Sequence, residues 1–292
     1  MAFGRGAAIL ANYNNNAIER FRIDDRVVVI TGGAGLLGRQ HAEAVIEGGG
    51  VAVMFDISQP AIDSAISKMK EKYGEDVKVE GLVVDITSEQ SIREAVDVLM
   101  MKYGHIDVLI NNAANNPKVE GNAKNMGAIQ FENFPLDMWM NDIAVGLTGS
   151  FLCAKVMGAV MAKQMSGVIL NISSDLGVIA PDQRIYRKEG LKDNEQSVKP
   201  VTYSVIKHGL IGLTKYLATY YAEKGVRSVA LCPSGVFNGQ NDEFLGKLTN
   251  LIPMGRMANV DEYKSTVLYL ISDASSYMTG STMIVDGGRT CW

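Results

Sequence analysis

Val27-Val-Val-Ile-Thr-Gly-Gly-Ala-Gly-Leu-Leu-Gly38 is the stretch on which the fold turns. Its first five residues are all β-branched and have the length of a strand buried on both faces. Thr31–Gly38 follows as a glycine-rich turn, and helical apolar spacing then runs from Leu37 to Glu47. A strand that feeds a tight turn and a helix is the first half of a βαβ unit. The alternation continues outward. Further strand-like runs stand at Val51–Asp56, Val77–Asp85, Asp107–Asn111, Val168–Ile172, Val226–Leu231 and Thr282–Val285. Helical patterns fill the intervals near Pro60–Tyr73, Ser88–Tyr103, Leu136–Lys163, Thr202–Glu223 and Val260–Ser272. This predicts an α/β fold: a doubly wound parallel sheet of about seven strands with helices on both faces, its crossovers right-handed. Residues 1–24 are polar and aperiodic and read as an arm before a single domain over 25–292. Three polar segments, near 115–134, 180–200 and 236–251, interrupt the rhythm after the fourth, fifth and sixth strands. They would emerge at the carboxyl ends of strands, where open α/β sheets bind ligands.

The glycines of the turn let a backbone approach a pyrophosphate, which rests on the free N–H groups of a helix start. Gly32, Gly35, Leu36, Leu37 and Gly38 are therefore candidate dinucleotide-binding residues. Asp56 ends the next strand, 18 residues after Gly38. A carboxylate there accepts both ribose hydroxyls of NAD and repels the extra phosphate of NADP, so NAD is the expected cofactor. Arg39 reads as a surface helix residue. Asp85 and Ile86 would meet the adenine edge, although Asp85 reads equally as a cap for the helix beginning near Ser88. Asn112, Ala113 and Ala114 are small enough to let a cofactor pass close to the backbone.

Tyr203-Ser-Val-Ile-Lys207 carries the chemistry. Residues i and i+4 share one helix face, so the Lys207 ammonium can lower the pKa of the Tyr203 phenol and fit it for general acid–base work. Ser173-Ser174 follows an apolar strand upstream. Turn, serine, then tyrosine–lysine reads as hydride transfer at a hydroxyl or carbonyl. Tyr220 and Lys224 repeat the spacing but close the helical pattern, away from the cofactor end; Tyr186 has Gly190 where the lysine would stand.

Of the 292 residues, 47% are hydrophobic and 21% charged, with a formal charge of -4. That balance argues against nucleic acid as a partner. No apolar run in the sequence reaches bilayer length, and no cleavage site follows the short apolar start. Cys153, Cys232 and Cys291 lack metal-ligand spacing and read as thiols in a reducing compartment. A cytoplasmic protein without metal is expected.

Together, Thr31–Gly38, Asp56, Asn111–Ala114, Ser174, Tyr203 with Lys207, Pro233 and Val285-Asp286-Gly287-Gly288 resemble the short-chain dehydrogenase/reductase superfamily over residues 25–292. The resemblance implies a Rossmann-type catalytic domain and an NAD-dependent oxidoreductase in which Tyr203 exchanges the substrate proton. Lys207 would modulate that phenol and hold the nicotinamide ribose, Ser174 would position the substrate oxygen, and Pro233 and Val236 would lie against the cofactor. It also implies a dimer or tetramer built through the Tyr203 helix and the final helix and strand.

Four features depart from that pattern. Gly146 stands where the family has a catalytic asparagine on a kinked helix, and Asn141, five residues earlier, is expected to face elsewhere. The turn has the spacing of the sugar-nucleotide-modifying branch. Val229 and Ser234 replace the more usual asparagine and glycine, and the gap from Ser174 to Tyr203 is long. Its residues 181–200 read either as a surface loop or oligomer contact, or as a substrate lid whose Arg184 and Arg187 grip an anionic group such as a phosphate; Asp175, just before it, is a further candidate substrate residue. Residues Ser174–Tyr186 and the ending Asp-Gly-Gly-Arg-Thr-Cys-Trp292 are similar to surface-polysaccharide and flagellin-modification protein A type oxidoreductases. That similarity implies a phosphorylated or nucleotide-linked amino sugar as substrate. A sugar-nucleotide epimerase or dehydratase with tightly held NAD, and a non-catalytic dinucleotide sensor, are the competing readings.

Overall fold

The computed structural model describes residues 16–115 and 130–292. Its seven strands are β1 (Val27–Thr31), β2 (Val51–Asp56), β3 (Val79–Val83), β4 (Val108–Asn111), β5 (Gly167–Ile172), β6 (Val226–Pro233) and β7 (Thr282–Val285). All pair in parallel, in the order β3-β2-β1-β4-β5-β6-β7. Alternate residues of β1 explain the continuous apolar run. Val27 and Val29 join one core with helices α3 (Glu89–Tyr103), α5 (Gly149–Gln164) and α6 (Val201–Tyr220). Val28 and Ile30 join the opposite core with α1 (Leu36–Glu47), α2 (Gln59–Tyr73) and α8 (Lys264–Ile271). The chain reverses its direction across the sheet between β1 and β4, which opens a crevice at their carboxyl ends.

The helix starts differ in a way that matters for the site. Ser58 caps α2 by accepting from the Ala61 N–H at 3.4 Å, and Ser88 caps α3 by accepting from Ser91 at 3.2 Å. At α1 the cap position is Gly35, and no side chain caps the helix. Its first N–H groups are left for whatever occupies the crevice.

Several expectations need correction. Residues 1–15 of the expected arm, and residues 116–129 of the first polar segment, lie outside the described residues. The domain itself begins before residue 25, because Ile23 is fully buried and its N–H donates to the Gly48 carbonyl at 2.9 Å. The third polar segment contains α7 (Asp242–Thr249), capped by Asn241; polar residues around a short amphipathic turn concealed it. The apolar pattern after residue 135 is α4 (Leu136–Ile143), a π-helical turn at Ala144–Thr148, and α5, continuous over 29 residues. By length and a mean hydropathy of 1.7 this one helix could cross a membrane, contrary to the sequence reading. Its Cys153, Ala154, Met157 and Met161 are spent on the sheet core, which accounts for the composition.

Candidate active site

A cavity of about 930 Å³ opens along the carboxyl ends of the strands and collects nearly every residue singled out above. At one end, Gly32, Gly35, Leu36 and Leu37 line it from the turn, and Asp56, Asp85 and Ile86 from the ends of β2 and β3. Gly32 has a φ of 60°, and a Cβ on it would come 3.0 Å from the Ala113 Cα. Gly38 is absent from the wall. Its role is packing: a Cβ there would lie 2.2 Å from the Gly32 carbonyl oxygen, so α1 can sit against the turn only as glycine. The Asp56 carboxylate accepts from the Ala34 and Ser58 N–H groups, each at 3.2 Å, which fixes it at the rim. Asp85 accepts from the Thr87 N–H and hydroxyl while Ser88 caps α3, so it shapes the turn and the wall together. Asn112 donates to the Thr31 and Gly32 carbonyls and, with Ala113 and Ala114, forms the floor. Pro233 and Val236 close the far side. An uncapped helix start, a glycine cradle and a carboxylate at the rim suit a dinucleotide.

At the other end stand Ser174, Tyr203 and Lys207. Tyr203 and Lys207 project from one face of α6, which is anchored to the β5 loop where the Ser173 hydroxyl donates to the Lys207 carbonyl at 2.7 Å. Gly177 permits this approach, since a Cβ would lie 2.8 Å from that carbonyl oxygen. The Lys207 ammonium donates to the Ile172 carbonyl at 2.8 Å and lies 5.6 Å from the Tyr203 ring centroid. Burial, with the Lys199 charge adding to it, lowers its pKa to about 8. The acidified phenol expected from sequence is not what these protein groups produce. Burial outweighs a lowering hydrogen bond to Ser174 and holds the Tyr203 phenol above its ordinary value, Asp175 and Cys232 adding to the effect.

Asp175 is buried and fully engaged. It accepts from the Ser174 hydroxyl at 2.7 Å, the Leu176 N–H at 2.8 Å and the Ser234 hydroxyl at 3.0 Å, and pairs with Arg289 at 3.1 Å. It thus fixes Ser174 rather than offering a free carboxylate to substrate. A serine has one proton, and here that proton lies toward Asp175. Ser234, one of the departures, earns its place by this bond.

The lid arginines separate. Arg184 is outside the wall, with its side chain 82% exposed and paired to Asp182. Arg187 does line the cavity, with Lys188 and Lys199. The segment is stapled to itself: the Gln196 side chain bonds both backbone groups of Lys188, and Gln183 bonds both of Lys199. Sequence reasoning missed Arg289, a lone cation after a glycine pair, and gave no separate weight to Lys199. Asn141 also lines the cavity, contrary to its expected direction. Gly146 is buried in the π-helical turn, and a Cβ there would meet Ile206 at 2.8 Å. Tyr220 is exposed and stacked on Tyr216, remote from the cavity wall. Cys153 and Cys232 are buried free thiols and Cys291 is exposed, and no metal-binding cluster exists among the described residues.

Comparison with known proteins agrees with this geometry. A family model described as enoyl-(acyl carrier protein) reductase matches residues 33–290. The 3-oxoacyl-[acyl-carrier-protein] reductase of Thermotoga maritima is 30% identical over 271 residues, covering 91% of this chain and 98% of that protein. The NAD-dependent glycerol dehydrogenase of Listeria innocua is 31% identical over 278 residues, covering 92% and 96%. The flagellin modification protein A of Campylobacter coli is 26% identical over 266 residues, covering 91% and 98%, so that likeness does not stand apart from the others. Among solved structures, a gluconate 5-dehydrogenase from Burkholderia cenocepacia, in complex with NADP and tartrate, superposes with a TM-score of 0.80 at 25% identity, covering 95% of this chain and all of that one. An NAD-bound xylitol dehydrogenase does so with a TM-score of 0.76 at 25% identity, covering 91% and 99%. The chain binds a dinucleotide, NAD or NADP, and is an oxidoreductase of alcohols or ketones: it belongs to the short-chain dehydrogenase/reductase superfamily.

Proposed function

We propose that the protein uses NAD and interconverts a secondary alcohol and a ketone on a sugar-like substrate that carries a phosphate or nucleotide group, in surface glycan synthesis. The observation that supports this most is the charge of the substrate end of the cavity. Arg187, Lys188, Lys199, Lys247 and Arg289 line it, against Asp175, already paired to Arg289, and Glu243, already paired to Lys247. A surplus of cations with hydrogen-bonding capacity suits an anionic, polyhydroxylated ligand. Asp56 at the rim favours NAD over its phosphorylated form. The dinucleotide, when bound, supplies the hydride acceptor or donor. Tyr203 moves the proton of the substrate oxygen, Ser174 places that oxygen, and Lys207 holds the ribose and the phenol.

Free thiols support a cytoplasmic setting, and the exposed Phe151, Tyr216 and Tyr220 on α5 and α6 support homo-oligomers formed through those helices. A panel of sugar phosphates, nucleotide sugars, polyols and sugar acids, followed by NADH absorbance with NAD and NADP in parallel, tests the reading. Turnover of an anionic sugar with NAD is expected. Clear preference for neutral polyols, or for NADP, would refute the corresponding half. Tyr203→Phe should abolish turnover and spare NAD binding; retained turnover would reject the assigned acid–base role.

A further inference from the structure

The phenol is flanked by lysines on both sides, at i-4 and i+4, in Lys199-Pro-Val-Thr-Tyr203-Ser-Val-Ile-Lys207. The nearer of the two is the one no sequence pattern flags. The Lys199 ammonium lies 3.8 Å from the Tyr203 ring centroid, whereas that of Lys207 lies at 5.6 Å. A cation against a ring face is attracted by the π-system, and it favours the ring more when the oxygen is ionised. Lys199 is not a loose arm. Its N–H donates to the Gln183 side chain at 2.9 Å, its carbonyl accepts from the same amide at 3.3 Å, and Pro200 follows at the start of α6. We propose, resting on the oxidoreductase reading above, that Lys199 is a positioning residue of the reaction, its ammonium seating the Tyr203 ring and stabilising its phenolate.

The surrounding charges support this. The groups that face the phenol are Ser174 and Asp175 from the β5 loop, Cys232 from β6, Tyr186 from the 181–199 segment and Lys207 from its own helix. Asp175 is paired with Arg289, although its charge still raises the Tyr203 phenol and favours the Lys199 ammonium. Two ammonium groups therefore share a partly buried site whose nearby carboxylate is already paired, and the Lys199 charge disfavours that of Lys207. Burial lowers the Lys199 pKa to about 8, as it does that of Lys207, whose ammonium Lys199 further disfavours. Ionisation of Tyr203 places a negative charge between them and relieves the repulsion. The three groups titrate as a set, and losing one cation moves the whole set toward higher pH. The Lys199 ammonium against the ring thus opposes the rise that burial imposes on the phenol.

The test compares Lys199→Met, Lys199→Gln and Lys199→Arg, with melting temperature and NAD affinity as folding controls. Two readouts are needed. One is the Tyr203 phenolate absorbance, taken as the difference from Tyr203→Phe with NAD present. The other is the pH profile of kcat for oxidation of the fastest member of the panel above. In Met and Gln variants, both midpoints should rise by about one pH unit, KM above the new midpoint should stay within about twofold, and Arg should restore the wild-type profile. Unmoved midpoints in a folded variant overturn the proposal, whether KM is unchanged or raised about tenfold; the latter would make Lys199 a substrate anchor instead. The phenolate titration needs no substrate, so a protein inert toward the whole panel would sink the functional reading and still leave this one decided.

Discussion

Replacing Gly146 with alanine should damage the active site although this residue touches none of the cavity. The added Cβ would lie 2.8 Å from the Ile206 Cγ2, 3.0 Å from its Cδ1 and 3.4 Å from its Cγ1. The first contact is about 0.7 Å short of the ~3.5 Å at which two carbons sit comfortably. The Cδ1 methyl can rotate away about χ2, but Cγ2 moves only if χ1 leaves the one rotamer that a helix strongly prefers for isoleucine, or if the backbone shifts. Ile206 is buried on α6 between Tyr203 and Lys207, so the strain passes straight to the catalytic face. Overpacking of this kind costs about 1–3 kcal/mol, which for a domain of this size lowers the melting temperature by roughly 2–5 °C. A helix displaced by about half an ångström should lose roughly tenfold in kcat, since a full ångström costs on the order of a hundredfold. Asparagine begins with the same Cβ, so restoring the residue implied by the family resemblance should do at least as much harm. Ile206→Ala opens the space, and in the double variant the alanine at 146 should cost about 1–2 kcal/mol less than it does alone. Thermal melts and kcat of the four-member cycle decide the matter. A Gly146→Ala protein with wild-type melting and rate, or a cycle with no coupling, would refute the packing argument.

Three further outcomes are expected. Asp56→Ser should move the ratio of kcat/KM for NADP over NAD upward by at least about tenfold, because a like charge facing the phosphate costs several kcal/mol; an unchanged ratio would remove Asp56 from cofactor choice. Gly38→Ala should weaken NAD binding by about tenfold or more in a calorimetric titration, since its Cβ displaces the turn at the Gly32 carbonyl; unchanged affinity would show that α1 does not set the cradle. His41 is buried, and neither ring nitrogen has a hydrogen-bond partner among the described residues. Burial lowers its pKa from 6.5 to about 4, the Asn112 side chain, near but outside hydrogen-bond geometry, opposing the shift. The unfolded chain thus takes up a proton first, so this stability is full above about pH 6.5 and is lost as pH falls toward 4. His41→Leu should flatten the decline in melting temperature over that window, and a decline identical to wild type would locate the sensitivity elsewhere.

The sheet was legible because β1 and β2 are short apolar runs whose alternate residues find opposite cores, and periodicity then leaves little choice. The nucleotide end was legible for a related reason: its features are local in sequence, with turn, strand and acid close together. The substrate end is assembled from residues far apart. Arg289 reaches Asp175 across 114 positions, and nothing in either neighbourhood announces the pair. Arg184 and Arg187 look equivalent in sequence, yet a turn capped by Asp182 sends the first outward and the second to the cavity wall. Asn141 faces the cavity because the π-helical turn at Ala144–Thr148 breaks the regular phase on which its expected direction was based. Helix α7 was missed because its polar flanks resemble a loop until the Asn241 cap is seen.

The two glutamines that fasten residues 181–199 have a consequence for how such a protein can diversify. Backbone groups closed by side chains of the same excursion make little demand on the sheet beneath. The excursion then behaves as a cassette. Lys199 apart, its length and charge can be traded for another set without redrawing the crevice between β1 and β4, and one redox carrier can serve a succession of different reactants.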